Sequence, residues 1–159
     1  MRDIKFRGKR KDDKEWVYGD LVTMRKNRGF IHPKANKFKH EASLSKGNMV
    51  LHEVIPETVG QYTELKDKNG KEIYEGDIVK QEYSAGPYGR NGEEYWEGYH
   101  LGVVRITATE GACMRNPYRF DEIEDTVYKI NQYKNVVGYR TEIIGNIHEN
   151  PELLEVDND

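Results

Sequence analysis

The sequence predicts a mainly β protein. Apolar, β-branched and aromatic residues alternate with polar ones through most of the chain. Gly, Asn and Pro cut that pattern into short runs, and no long segment keeps apolar residues at helical spacing. Tyrosine outnumbers phenylalanine by 11 to 4, which suits strands with one wet face.

The elements follow in chain order. In "IKFR", Ile4 and Phe6 alternate with charged neighbours, as a half-buried strand requires. "GKRKDDKE" is a polar connection and "WVYGDLVTM" the returning strand, so the chain opens with a β-hairpin. "GFIHP" is a short strand stopped by Pro33, which lacks the amide proton a ladder needs. Residues 34–47 are polar and weakly patterned and predict a mobile loop, after which "MVLHEVI" regains strand character. Within "VGQYTELKDKNGKEIYEGDIVKQEY", Asn69-Gly70 predicts a hairpin with a type I′ turn, both central residues taking positive φ. "SAGPYGRNGEEYWEG" reads as a long exposed hairpin tip. "YHLGVVRITA", "TVYKINQY" and "VVGYRTEIIGNI" supply further strands. In "NPELLEVDND", Asn150 is a cap, Pro151 a first helical residue and Glu152 a charge suited to the positive end, predicting a short C-terminal helix docked by Leu153 and Leu154.

One stretch occurs twice. "KDDKEWVYGDLV" (residues 11–22) and "KNGKEIYEGDIV" (68–79) share Lys, Lys, Glu, Gly, Asp and Val at equivalent positions. A paired-aspartate site, Asp20 with Asp77, is one reading. The more economical one is architectural: a charged turn reverses the chain and Gly-Asp bends it into a core strand. A strand entered through Gly-Asp-Ile-Val after a polar hairpin is also how SH3-like small barrels begin. The expected architecture is therefore an N-terminal β-hairpin region over residues 1–56 with its mobile loop. An SH3-like barrel with a C-terminal helix follows over 57–159, with a single intertwined domain as the alternative.

Composition narrows the function classes. At 159 residues and 18.6 kDa the chain can bury a modest core, and its net charge of −3 hides an asymmetry. Residues 1–40 hold 13 Lys+Arg against 5 Asp+Glu, a balance of +8; the remainder holds 12 against 23, a balance of −11. No apolar run approaches the roughly 20 residues of a membrane span. "MRDIKFRGKR" has no signal-peptide core, and one cysteine, Cys113, fits a reducing compartment. A cytoplasmic protein without membrane contact is expected.

The residues then offer three kinds of function. Protein binding, self-association included, would use Tyr83, Tyr88, Arg90, Tyr95, Trp96 and Tyr99, because aromatics and arginine bury large area at small entropic cost. Nucleic-acid binding, the alternative, would use Arg2, Lys5, Arg7, Lys9, Arg10, Lys11, Arg25, Lys26 and Arg28 against phosphates, with Trp16 or Tyr18 stacking on bases. A pI near 6.0 weighs against a dedicated nucleic-acid binder. An enzyme is the least supported class. The chain carries no phosphate loop, nucleophile elbow or dinucleotide fingerprint. His32, His40 and His52 are spaced outside the usual zinc patterns, and His148-Glu149 on a strand would face opposite ways. No catalytic residue, metal or cofactor is expected.

Three blocks together carry a family resemblance. "IKFRGKR" with "WVYGDL", then "VIPETVGQYTELKDKNGKEIYEGDIV", then "EIIGNIHENPELL" resemble the YopX family of small phage and prophage proteins, over residues 2–22, 54–79 and 139–154. Glu64 stands where the family commonly has Gly, which speaks against a tight backbone there, and His148 stands where Tyr is frequent. Residues from about 81 to 135 resemble no fixed family motif. The resemblance implies a β-rich, phage-encoded accessory protein in the host cytoplasm, and it brings no catalytic or binding residues with it.

Overall fold

In a computed structural model, residues 4–24, 28–33, 50–85 and 96–156 are described, and they form short strands joined by turns. The chain is mainly β. The loop expected over 34–47 lies outside the described residues. Two compact units divide the chain, Met1–Tyr62 and Thr63–Asp159.

In the first unit, β1 (Phe6–Lys9) pairs antiparallel with β2 (Trp16–Met24), β2 with β3 (Arg28–Pro33), and β3 with β4 (His52–Val54). On the far side of β1, the start of β5 (Gly60–Lys66) pairs through Gly60 and Gln61. Alternation sends Val17, Ile31 and Val54 to one face, where Phe6, Leu21 and Val59 pack on them. Each fully buried aliphatic side chain is worth about 1.5–3 kcal/mol. Thr58, in the 3-10 turn Pro56–Thr58, accepts the Lys9 amide at 2.8 Å and so ties that turn to β1.

In the second unit β5 continues beside β6 (Glu72–Tyr74). The Asn69-Gly70 hairpin forms, with a different turn from the expected one. Only Gly70 of the pair takes positive φ (80°), and Gly70 N–H donates to Asp67 C=O. Asp67 dictates this, because its Oδ1 accepts the amides of Asn69 and Lys71, both at 2.9 Å, and pulls the loop into a type I-like turn closed by a left-handed glycine.

A larger sheet runs β11 (Thr126–Lys129), β10 (Tyr118–Asp121), β8 (Trp96–Thr107), β7 (Asp77–Ala85), β13 (Thr141–Asn146). The long β8 serves two partners. Its first half pairs with β10 and its last residues with β9 (Gly111–Arg115), which in turn pairs with β12 (Tyr133–Asn135). Strands β9 and β10 were not legible in the sequence. Ile73, Val79, Val104, Met114 and Val136 form the core with Leu65, Ala112 and Ile143 packed against it. The buried Gln81 extends that core as a polar staple. Its Oε1 accepts Val137 N–H at 2.7 Å and the Thr141 hydroxyl at 2.9 Å, and its Nε2 donates to Asn135 C=O at 3.1 Å. Truncating it would remove all three bonds, each worth about 0.5–1.5 kcal/mol.

The repeated stretches serve different ends. Gly76-Asp77 makes a tight turn between β6 and β7, with Gly76 at φ 84° and Asp77 Oδ2 accepting the Tyr74 amide at 2.8 Å. Gly19-Asp20 instead lies within the unbroken strand β2, so the expected bend there is absent. Nor do the last residues make an α-helix: Pro151–Leu154 is one 3-10 turn, and Asn150 gives it no side-chain cap. The Asn150 side chain instead accepts the Asn146 amide at 3.4 Å, which removes it from capping.

Glu64 takes φ 67°, the tight left-handed conformation its identity spoke against. Such a position costs a non-glycine residue on the order of 1 kcal/mol. Glu64→Gly is therefore expected to raise stability by about 0.5–1 kcal/mol in urea titration. A loss of that size would show that the Glu64 side chain contributes more than its backbone costs.

Candidate interaction surface on the β10–β11 hairpin

The β10–β11 hairpin is built around one glycine. Tyr83 on β7 lies opposite Gly98 on β8, and Gly98 lies opposite Asp121 on β10. A Cβ at residue 98 would sit 2.0 Å from the Phe120 carbonyl oxygen and 2.7 Å from Tyr83 Oη. With that space empty, the Tyr83 hydroxyl donates to Phe120 C=O at 3.0 Å and accepts Arg119 Nε–H at 2.9 Å. Arg119 lies over the Tyr83 ring at 4.7 Å and approaches the Tyr128 ring at 5.8 Å. Asp121 completes the set. Its Oδ2 lies 3.4 Å from Arg119 Nη2, and its Oδ1 accepts the amides of Ile123 (3.1 Å) and Glu124 (3.2 Å). Those amides, Glu124 first, hold its carboxyl below the usual range, with Arg119 adding to them.

The opposite face carries a second aromatic layer. Val127 stands across from Phe120, and the Phe120 ring stacks on Tyr99 at 4.4 Å, with Lys80 over the Tyr99 ring at 4.0 Å. The outermost strand is thus supported from both faces, yet all four residues of β11 are exposed. Ile123 is 55 % exposed, Val127 39 % and Tyr128 44 %. Exposed apolar residues supported in this way suit a contact surface.

This arrangement places the expected binding residues as follows. Tyr83 and Tyr99 lie on strands, not in a loop, and on opposite faces, since Tyr99 stands across from Glu82. Trp96 begins β8; Tyr88, Arg90 and Tyr95 lie outside the described residues. Arg119, Asp121, Ile123, Val127 and Tyr128 were missed. Their signal is the alternation in "YRFD" and "TVYK" around the acidic turn "EIED".

The basic candidates fall in the first unit. Lys5, Arg7 and Lys9 project from alternate positions beside Trp16 and Tyr62: Lys5 lies 4.4 Å over Tyr62, Arg7 4.7 Å and Lys9 5.5 Å over Trp16. Tyr18 stands across from Arg7. Arg10 pairs with Asp12 at 2.6 Å and Asp13 at 3.1 Å, and Lys11 with Glu53 at 3.0 Å. The Arg10 hydrogen bond and the Asp13 amide lower the Asp12 carboxyl to about 2. Arg28 begins β3, and Arg2, Arg25 and Lys26 lie outside the described residues.

His100, beside Tyr83 with ring centroids 4.9 Å apart, is 8 % exposed, and its Nε2 has no hydrogen-bond partner among the described residues. Burial holds it down to about 4, with Lys134 and Arg119 adding to the effect. As pH falls below about 6.5, the unfolded chain takes up a proton that the folded chain refuses. The stability His100 contributes is complete above that pH and is lost as pH falls through about 4. Allowing for partial solvent access, the loss is about 1–3 kcal/mol. The Asp121 contribution is lost at lower pH, below the ordinary carboxylate value. Denaturant titrations of the wild type and His100→Gln across this range should show the upper limb flattened in the variant; equal slopes would remove His100 as its cause.

Among the described residues no helix is long and apolar enough to cross a membrane. No curated protein matches the chain. Among solved structures, the crystal structure of protein EF1440 from Enterococcus faecalis is 21 % identical, covering 98 % of this chain and 100 % of that chain with a TM-score of 0.45. The family model described as YopX protein matches residues 5–155, nearly the whole length, so the chain belongs to the YopX family.

Proposed function

We propose that this YopX-family chain is a non-enzymatic, phage- or prophage-encoded accessory protein of the bacterial host cytoplasm that acts by binding protein and self-associates. The observation that carries the reading is strand β11: an outermost strand whose Val127 and Tyr128 are exposed while the layers beneath them are already packed. Such an edge invites a further strand. Two titratable groups of this unit that depart from their ordinary values also have structural occupations. His100 is buried neutral against Tyr83, and Asp121 accepts backbone amides in its turn.

Nucleic-acid binding through a small SH3-like barrel is the second reading. It draws on the row Lys5, Arg7 and Lys9 beside Trp16 and Tyr18. Those cations already lie on ring faces that bases would need, and Arg10 and Lys11 are held by acids. Protein binding is therefore preferred.

Light scattering after gel filtration should give a mass above 18.6 kDa at high micromolar concentration, falling on dilution. A monomer mass throughout would refute self-association. A mobility shift with DNA or RNA at low salt, weakening as salt rises, would move the assignment to the second reading.

A further inference from the structure

We infer that β11 is a self-complementary edge, pairing antiparallel with β11 of a second copy about a two-fold axis through Val127. The inference rests on the protein-binding reading and names its partner. Three observations support it.

The first is a contrast between the two ends of the sheet. Edge strand β13 is protected: it carries a bulge between Ile143 and Gly145, and residues 67–68 cover its outer side. Asp67 Oδ2 accepts Ile143 N–H at 3.2 Å, and Lys68 N–H donates to Thr141 C=O at 2.9 Å. Strand β11 pairs with β10 in unbroken register and has no such cover among the described residues.

The second is the direction of its backbone groups. Ile130 N–H donates inward to Pro117 C=O, so alternation turns the N–H and C=O groups of Val127 and Lys129 outward. Two copies centred on Val127 can exchange both bonds between their Val127 residues, with the outward groups of Lys129 facing Asp125 of the other copy.

The third is register. A two-fold axis perpendicular to the sheet keeps each copy's faces aligned, so directly opposed residues must share a face. Centring on Val127 sets Val127 against itself, Thr126 against Tyr128, and Asp125 against Lys129 twice over. Asp125 and Lys129 are both exposed, and neither makes an ion pair among the described residues. Centring on Tyr128 instead sets Asp125 against Asn131 and Lys129 against Val127, leaving both charges unmatched. Lysine on an edge ordinarily repels a neighbouring strand. In the Val127-centred register it finds an acid.

The test uses charge reversal with rescue in the full chain. Lys129→Glu places acids opposite acids at both symmetric positions, and Asp125→Lys places lysines opposite lysines. Asp125 takes φ 51°, a conformation that Lys14 also adopts at φ 64°. Each variant alone should dimerise at least tenfold more weakly than wild type at low salt, the difference shrinking as salt rises. Mixed one to one, they should form a heterodimer at near wild-type affinity, because every contact is then between opposite charges. Rescue also shows that both variants are folded.

Val127→Pro is a second variant. It removes an outward N–H that β10 does not use, and should abolish the dimer while leaving the monomer folded. A wild-type oligomer whose mass none of these variants changes would overturn this interface and leave self-association standing. Variants that weaken alone without rescue on mixing would overturn the register. A wild type that is monomeric at every concentration would overturn both.

Discussion

The hydroxyl of Tyr83, reaching over Gly98 to the Phe120 carbonyl, holds strand β10 to a neighbour two strands away. Hydrogen-bonded ladders link only adjacent strands, so a bond across β8 adds rigidity that pairing alone does not supply. The rest of the surface follows from it. Arg119 is oriented by Tyr83, Asp121 lies against Arg119, and the Asp121 carboxylate fixes the turn from which β11 returns. A side chain at residue 98 would push Phe120 away and loosen every later link. The glycine is required by a close approach of backbone, independently of any turn.

Polar groups buried in the second unit act in the same way. Gln81 joins β7 to the segment before β13, Asp67 joins the first hairpin to the β13 edge, and Asp77 closes the turn that starts β7. Each carboxylate or amide bonds buried or part-buried backbone groups, at about 0.5–1.5 kcal/mol per bond. These groups are occupied in the scaffold, whereas the β11 edge proposed to take a second strand is exposed along its length.

Much of this was legible in the residues. Strand alternation located β1, β2, β3, β5 and β7, and "NG" correctly marked a hairpin. The turn type was missed because Asp67, three residues before Gly70, competes for the loop amides. The C-terminal segment makes only one 3-10 turn, and the Asn150 side chain accepts the Asn146 amide and caps nothing. Strands β9 and β10 are short, carry mixed polarity and depend on β8 for pairing, so nothing local declared them. Likewise, Tyr83 and Tyr99 read as one aromatic patch in sequence, and only the register showed that they face opposite ways. The glycine at 98 looked like a loop residue among other glycines. Its role exists only once three strands are side by side.

In the proposed dimer the outward amides of β11 find partners in a second copy. Amide hydrogen exchange at Val127 and Lys129, followed from high to low micromolar concentration, measures this directly. Protection of both amides that disappears on dilution, while Tyr128 stays protected by β10, is the predicted result. Equally fast exchange at Val127 and Lys129 at every concentration would contradict it.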